Sequence, residues 1–521
     1  MQDKEVLDYI KQAFELKAQG CFKQAIEMLY KTLETESSNT EILYQLGDLY
    51  FQLQNYNRSE GYLEKVLAIN PSHIESYKLL KAIYLRRKEY KSAKTMAEKV
   101  FTLEGTSKNL AELIRVLGLC AEYDEAEKYA TSTLADDNVL YELANIYYQK
   151  NDLDRTKEIL NIINPENDDA QILYGKISFD ENDFIKSREI FEKFGKNSPR
   201  ADVLNYLGLF ALEDGDYTQA VKLFSKASNI DKAKSIYFYN LGNAYFFNGW
   251  MEEAAQAYKN AIGLEPENLS YRYSLAYLYY RMKEFEKTRN EVSFILLQDE
   301  NHISTRVLYA LLKFENKDFL GAQAILEKNL ETSPEDEFTL SALAKVYSEL
   351  LIFNKAEKIL FDFIGKYPDN LTYLTDFANL YIKEKKYDKA LMLIKKISEL
   401  SENYVDGYVI GAKAAYLKGD YETAKEYALN AVSLDVNNSE AYCWLAKVRE
   451  KENDFTEAVE CMKRAIFYDI NNPKYYAEMS RLYMALKDYK TAFEYIKDAE
   501  SLGNDQEYKR MYAELARLCR K

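Results

Sequence analysis

One small residue returns every 34 positions through the second half of the chain. From Ala220 the series runs Ala254, Thr288, Ala322, Ala356, Ala390, Ala424, Ala458 and Ala492. Three positions before each stands an aromatic residue, for example Tyr217, Phe285, Phe353, Tyr421 or Tyr489, with Met251 as the exception. A fixed period of this size belongs to a stack of like supersecondary units, each burying its apolar face against its neighbours. That constraint outranks length. A chain of 521 residues would ordinarily suggest three or four globular domains. A stacked array grows instead by adding units.

The phase extends to the whole chain once the first position of each unit is set seven residues before a second small site. The starts fall at Val6, Thr40, Ile74, Ser107, Asp137, Asp168, Ala201, Ser235, Leu269, Ile303, Glu337, Leu371, Val405, Ser439 and Pro473. That makes fifteen repeats, of which the third to sixth run 33, 30, 31 and 33 residues and the last nine begin 34 apart. Each carries two apolar stretches at helical spacing. A turn separates them, marked by Gly215-Asp216, Gly419-Asp420, Asn453-Asp454 and Asn182-Asp183. Glycine tolerates positive φ there, and Asn or Asp bonds the local backbone. Pro71, Pro266, Pro334 and Pro368 share position 32, where a helix must stop.

Position 20 is Ala, Ser or Thr in all fifteen repeats, from Ala25, Ser59 and Ala93 through Thr156 and Ser187 to Ala492. Position 8 is small as well (Gly47, Ala144, Gly175, Gly208, Gly242, Ala276), with Lys81 and Ile114 as the two exceptions. Two antiparallel helices of ordinary length pack closely only where one side chain is short, so the spacing predicts a tight helix pair in every repeat.

This pattern resembles the tetratricopeptide repeat family: small at position 8, Tyr at 11 (Tyr50, Tyr84, Tyr147, Tyr245, Tyr279, Tyr347, Tyr381, Tyr483), aromatic at 17, Ala at 20 and Pro at 32. The family's Trp at position 4 is absent, and Trp444 sits two places later. The resemblance covers residues 6 to 506. It implies an all-α fold, a right-handed superhelical α-solenoid of about fifteen helix-turn-helix repeats whose first helices line a concave groove. Residues 1–167 form an N-terminal array that is irregular from about 107, and 168–506 a regular array. Residues 507–521 read as a C-terminal capping helix, with Tyr508, Met511, Tyr512, Leu515 and Leu518 on one face; a partner-binding helix is the alternative.

The chemistry-bearing residues point away from catalysis. The two histidines, His73 and His302, fall between repeats and have no metal-ligand spacing. No phosphate-cradling glycine motif and no nucleophile elbow occurs. The paired acids Asp124-Glu125 and Glu252-Glu253 read as solvated faces or caps. The expectation is a non-enzyme with no catalytic residue, no cofactor and no metal. Cys21, Cys120, Cys443, Cys461 and Cys519 lie far apart, as in a reducing compartment; Cys443 and Cys461 read as packed core thiols. A formal net charge of −15 disfavours tracking along nucleic acid or docking on anionic lipid. Arg517, Arg520 and Lys521 form a mildly basic exception. The first residues mix charges with helical spacing, unlike a signal peptide, and Met1 stands at their head. No apolar run reaches membrane-spanning length. A cytoplasmic location without membrane insertion is expected.

In the family, positions 2, 5, 9 and 12 of each repeat face the groove, one stripe at helical spacing. In the eighth repeat these are Ile236, Tyr239, Asn243 and Phe246; in the ninth Ser270, Tyr273, Tyr277 and Tyr280; in the tenth Ser304, Val307, Leu311 and Phe314. The fifth repeats the theme with Tyr141, Asn145 and Tyr148. The resemblance implies an aromatic wall that takes a peptide, with Asn243 bonding its backbone. The other reading of these aromatics is packing between neighbouring first helices. Lys345, Lys447, Lys474 and Arg481 lie further on, with Glu440 and Glu450 among them, but the family's full clamp for a peptide carboxylate does not appear. The functional expectation is a protein-interaction scaffold or adaptor that binds an extended protein or peptide partner. Its alternatives are a non-catalytic subunit of a larger assembly (secretion, envelope biogenesis or motility) and an accessory part of a glycosyltransferase-type system. Oligomeric state is left open.

Overall fold

The computed structural model describes residues 2–34, 36–131, 135–503 and 505–519, which carry thirty-one α-helices and no strand. Of the basic residues at the end of the sequence, Arg520 and Lys521 lie outside the described residues. The helices group by contact into two compact bodies, Met1–Trp250 and Met251–Lys521. This division is separate from the one by repeat length at 167/168.

The first body holds α1 (Gln2–Ala18), α2 (Phe22–Leu33), α3 (Thr40–Gln52), α4 (Tyr56–Ile69), α5 (Ile74–Arg86), α6 (Tyr90–Leu103), α7 (Ser107–Leu119), α8 (Tyr123–Ala130), α9 (Asp137–Gln149), α10 (Leu153–Leu160), α11 (Asp168–Asp180), α12 (Phe184–Phe194), α13 (Ala201–Glu213), α14 (Tyr217–Ile230) and α15 (Ser235–Phe247). The second holds α16 (Met251–Leu264), α17 (Leu269–Arg281), α18 (Phe285–Gln298), α19 (Ile303–Glu315), α20 (Phe319–Thr332), α21 (Glu337–Glu349), α22 (Phe353–Lys366), α23 (Leu371–Lys383), α24 (Tyr387–Leu400), α25 (Val405–Lys418), α26 (Tyr421–Leu434), α27 (Ser439–Lys451), α28 (Phe455–Tyr468), α29 (Pro473–Ala485), α30 (Tyr489–Leu502) and α31 (Gln506–Leu518). From Thr40 to Pro473, every first helix starts on the residue the period assigns to it, and every second helix starts on position 17.

Both boundaries have local causes. The last residue of a repeat caps the next helix: Asn39, Asn167 and Asp336 accept hydrogen bonds from its first free N–H groups. His73 and His302 do the same, their Nδ1 accepting from Ser76 N at 3.2 Å and Thr305 N at 3.3 Å. Inside the repeat, position 15 takes positive φ in all fifteen cases, although only four of these residues are glycine (Gly20, Gly215, Gly249, Gly419). The next N–H then reaches back to the carbonyl of position 11, as from Asn55 to Tyr50 O at 2.8 Å and from Asp488 to Tyr483 O at 2.9 Å. This left-handed closure satisfies the last carbonyls of the first helix and turns the chain into the second.

The small residue at position 20 is fully buried in every repeat. Where it is serine it measures the closeness of the helices: Ser59 Oγ donates to Gly47 O at 2.6 Å and Ser187 Oγ to Gly175 O at 2.8 Å. Position 8 lies against position 24. A Cβ added to Gly47 would stand 2.9 Å from Leu63, and one added to Gly208 2.7 Å from the Phe224 ring. The two large residues at position 8 follow the same logic in reverse. Lys81 and Ile114 face repeats whose position 24 is alanine, Ala97 and Ala130.

The short repeats lose their length mainly in the second helix and the segment after it. α8 and α10 have 8 residues and α12 has 11, against 14 in most others. The apolar face of α31 packs on the last pair, with Leu515 buried beside Ala492, Ile496 and Ala499.

Candidate functional site

The face of interest is the stripe of positions 2, 5, 9 and 12 on the first helices, and each body carries part of it. In the first body, Tyr141, Asn145 and Tyr148 of α9 are half-buried. Both tyrosines lean on the core around Leu143, Ala144 and Leu173. Burial pushes the Tyr141 phenol up to about 12. Tyr148 is raised too, first by burial and then by its bond to Asp180 Oδ2 at 2.7 Å. Asn145 lines a cavity of about 330 Å³ with Arg115, Glu142 and Gln149. Tyr239, Asn243 and Phe246 of α15 are likewise half-buried.

In the second body, Tyr273, Tyr277 and Tyr280 stand in a row along α17, with Tyr273 and Tyr277 stacked at 6.5 Å between ring centroids. One side of the row packs on Ala276, Val292, Leu308 and Leu312. Burial raises the Tyr273 phenol to about 12. Tyr280 Oη donates to Glu315 Oε1 at 3.0 Å. Leu311 and Phe314 of α19 are half-buried as well, and Phe314 closes ring-to-ring on Phe319 at 5.2 Å. These side chains therefore pack and stay partly open at once. Packing between helices thus accounts for the inner face of these rings, and their outer edge is exposed.

Beyond Phe314 the stripe changes character. Position 9 reads Lys345, Asn379, Lys413, Lys447 and Arg481 in the last five repeats. Lys345 pairs with Asp376 at 3.3 Å, and Lys447 with Glu478 at 2.8 Å. Burial works against the Glu478 carboxylate, yet Lys447 and Arg481 hold it below the usual range. Burial wins at Asp376 and raises it despite Lys345. Lys447 also lies over the Trp444 ring, 5.0 Å from its centroid. Phe314, Lys345, Asp376, Asn379, Lys383 and Lys413 are among the residues that line a cavity of about 330 Å³ between the first helices. The sequence reading reached Lys345, Lys447, Lys474 and Arg481 but missed Asp376, Asn379, Lys383 and Lys413. The signal was present in the position-9 register, which places Asn379 and Lys413 on the same stripe.

Cys443 and Cys461 sit in one apolar cluster, and burial pushes their thiols up to about 12 and about 11. Such thiols stay protonated at neutral pH, which suits packing and not ligation or attack. No group of three or more metal-ligating side chains occurs among the described residues, and none of their helices is long and apolar enough to cross a membrane.

Family models and sequence relatives agree with this repeat assignment. The tetratricopeptide repeat signature matches residues 16–84, and again 236–268, 439–469 and 473–504. A TPR repeat-containing protein of Methanocaldococcus jannaschii is 26% identical over 439 residues, covering 75% of this chain and 75% of its own. The TPR repeat-containing protein YpiA of Bacillus subtilis is 22% identical, over 73% of this chain and 84% of its own. DnaJ homolog subfamily C member 3 of Mus musculus is 24% identical, over 44% of this chain and 50% of its own. Among solved structures, a chain of the APC/C hetero-tetramer Cut9–Hcn1 gives a TM-score of 0.46 at 13% identity, over 85% of this chain and 96% of that one. Yeast Tom70 gives 0.37 at 16% identity over the whole of both chains. With one phase running through fifteen helix pairs and the signature matched at four segments, this chain carries tetratricopeptide repeats.

Proposed function

We propose that this protein works as a non-catalytic scaffold, holding an extended peptide or a helix of a protein partner on the face of its first helices. Tetratricopeptide repeats support protein–protein interaction in general; the particular surface is our reading. The observation that carries it is the row Tyr273, Tyr277 and Tyr280 on α17 beside Leu311 and Phe314 on α19, each half-buried and held by packing on its inner side. A tyrosine fixed in this way offers large contact area at little further entropy cost and keeps a polar end for a partner's backbone. Tyr141, Asn145 and Tyr148, and separately Tyr239, Asn243 and Phe246, are half-buried on the first helices of the first body. The relatives' names span a DnaJ homolog, an intraflagellar transport protein and an RNA polymerase II-associated protein, so no single partner is inferred from them. A net charge of −15 disfavours nucleic acid and anionic lipid as the partner.

The test is affinity capture from the native cell with the wild type and with Tyr277→Ala/Leu311→Ala. The double variant is expected to keep its helical circular dichroism and to lose the captured partner; an unchanged partner set overturns the assignment of this face. Asn243→Ala asks the same of the first body. Light scattering on the purified chain separates an adaptor, expected as a monomer, from a structural subunit, expected as a stable oligomer.

A further inference from the structure

Neighbouring first helices are tied in places by a recurring ion pair. A cation at position 9 meets an acid at position 6 of the next repeat: Lys345 with Asp376 at 3.3 Å and Lys447 with Glu478 at 2.8 Å. Lys413 has the Trp444 position opposite it instead, with Glu440 acting on its ammonium. Arg115 on α7 and Glu142 on α9 hold the same two positions, 9 and 6, and among the described residues they do not close a pair. The repeat that separates them runs 30 residues, against 34 for the two closed pairs. Glu142 Oε2 is left buried without a hydrogen-bond donor. Burial pushes its carboxyl up, with Arg115 acting against that and Asp169 adding to it.

Arg115 and Glu142 face a cavity of about 330 Å³ bounded by α5, α6, α7 and α9. Asn145 and Gln149 line it as well, and Leu119 and Ile146 supply an apolar wall. Among the described residues, none of these four polar side chains makes a hydrogen bond or an ion pair within the chain. The charges around the cavity are otherwise matched. Asp169 is held by Arg200, Lys81 by Glu112, and Lys78 by Glu75 and Glu104. Lys108 is the exception, on the far side of Arg115 in the adjoining cavity. A ligand group here must therefore satisfy a bare acceptor and a guanidinium together. Glu142 repels an anion and Arg115 repels a cation, in a recess where water screens less. A primary carboxamide has no charge and offers both functions: its N–H donates to Glu142 Oε2, and its oxygen accepts from Arg115. Hydrogen bonds to charged groups are the stronger ones, and a donor for Oε2 relieves the cost of an unsatisfied buried acceptor.

We propose that the cavity between α7 and α9 takes the side-chain carboxamide of an asparagine or glutamine in the partner peptide, held between Glu142 and Arg115. The methylene stem of that residue lies on Leu119 and Ile146, and Gln149 completes the polar wall. Glu142 stands at position 6, off the stripe of positions 2, 5, 9 and 12, so the stripe alone does not reveal it. The inference rests on the peptide-binding reading above and gives the first body a residue preference.

The probes are the N-acetyl amides of glutamine, glutamate, lysine and alanine, each titrated into the full chain. The readout is the Ile146 δ1 methyl resonance of isoleucine-labelled protein. The glutamine compound is expected to bind about tenfold or more tightly than the other three, the worth of one hydrogen bond to a charged group. Glu142→Gln is expected to turn the preference to the glutamate compound, and Arg115→Gln to the lysine compound. A purely structural role for either residue would leave the order unchanged. Circular dichroism checks that the variants fold, and if they do not, the order of the four compounds on the wild type decides by itself. An Ile146 resonance unmoved by the glutamine compound, equal binding of any other compound, or the wild-type order kept in both folded variants overturns the proposal. The peptide-binding reading fails separately, by a partner retained in Tyr277→Ala/Leu311→Ala.

Discussion

Repeats four and five, α7 to α10, solve the packing problem differently from repeats fourteen and fifteen, α27 to α30. The later pair keeps alanine or serine at position 8 (Ala446, Ser480), a larger residue at position 24 (Met462, Ile496) and second helices of 14 residues. The earlier pair shortens its second helices to 8 residues. In the fourth repeat the sizes are inverted, Ile114 at position 8 against Ala130 at position 24. With α8 short, α7 also packs directly along α9, and Gly118 makes room for it: an added Cβ would stand 2.5 Å from Ile146 Cγ1. The two regions share a small residue at position 20, while the larger partner of the 8/24 contact sits on the first helix in the fourth repeat and on the second helix in the fourteenth and fifteenth. The helix pair does not require a particular residue at position 8.

The largest effect that bears on this comparison should come from the inverted contact. Ile114 is fully buried, so Ile114→Ala is expected to cost about 2–5 kcal/mol in urea unfolding. Ala130→Leu alone should cost about 1–3 kcal/mol through overpacking. Combined, the two should cost much less than their sum, because volume moves across one contact. Strict additivity would break the idea of exchange.

In the regular region Ala458→Leu is expected to cost about 1–3 kcal/mol, since position 20 has no room on either helix. Hydrogen exchange should show the loss in α27 and α28 first. A smaller effect separates close approach from helix propensity. Gly118→Ala should destabilise by about 1 kcal/mol because the methyl meets a buried isoleucine. Gly263→Ala, with nothing within 4 Å of its Cβ site, should stabilise by about 0.5–1 kcal/mol. A gain at both sites would remove the special status of the α7–α9 contact.

The smallest effect tests what the two regions share. Ala121 and Lys487 both hold the left-handed turn, at φ 59° and 62°. Glycine relieves about 1–2 kcal/mol of αL strain and returns part of it as unfolded-chain entropy. Ala121→Gly and Lys487→Gly should therefore each raise stability by about 0.5–1 kcal/mol, and by similar amounts. A gain in one repeat alone would mean that the turn is not common to both.

Much of the fold was legible in the residues themselves. The small residue at position 20 set the phase, and the phase placed fourteen first helices on their observed starting residues. The turn was legible only where Gly or Asn marked it. Ala121, Leu351 and the lysines at position 15 take the same conformation because the pair of helices they join is stable enough to impose it. His73 and His302 were placed between repeats, but their work as helix caps depends on a ring nitrogen lying over the next N–H groups. The candidate face was half legible. Period assigned Tyr277, Tyr141 and Leu311 to the stripe, yet could not say that each would be held on one side by a core cluster.

The sequence by itself determined the repeat, its length and the position of each helix. These are matters of local periodicity, and periodicity is written along the chain. Tertiary structure decided which charges are matched. Lys345, Lys413 and Lys447 occupy equivalent positions, and no local rule separates them. Only the approach of the next first helix brings Asp376 and Glu478 to two of them and the Trp444 position to the third, because an ion pair depends on distance through space and on the water excluded around it.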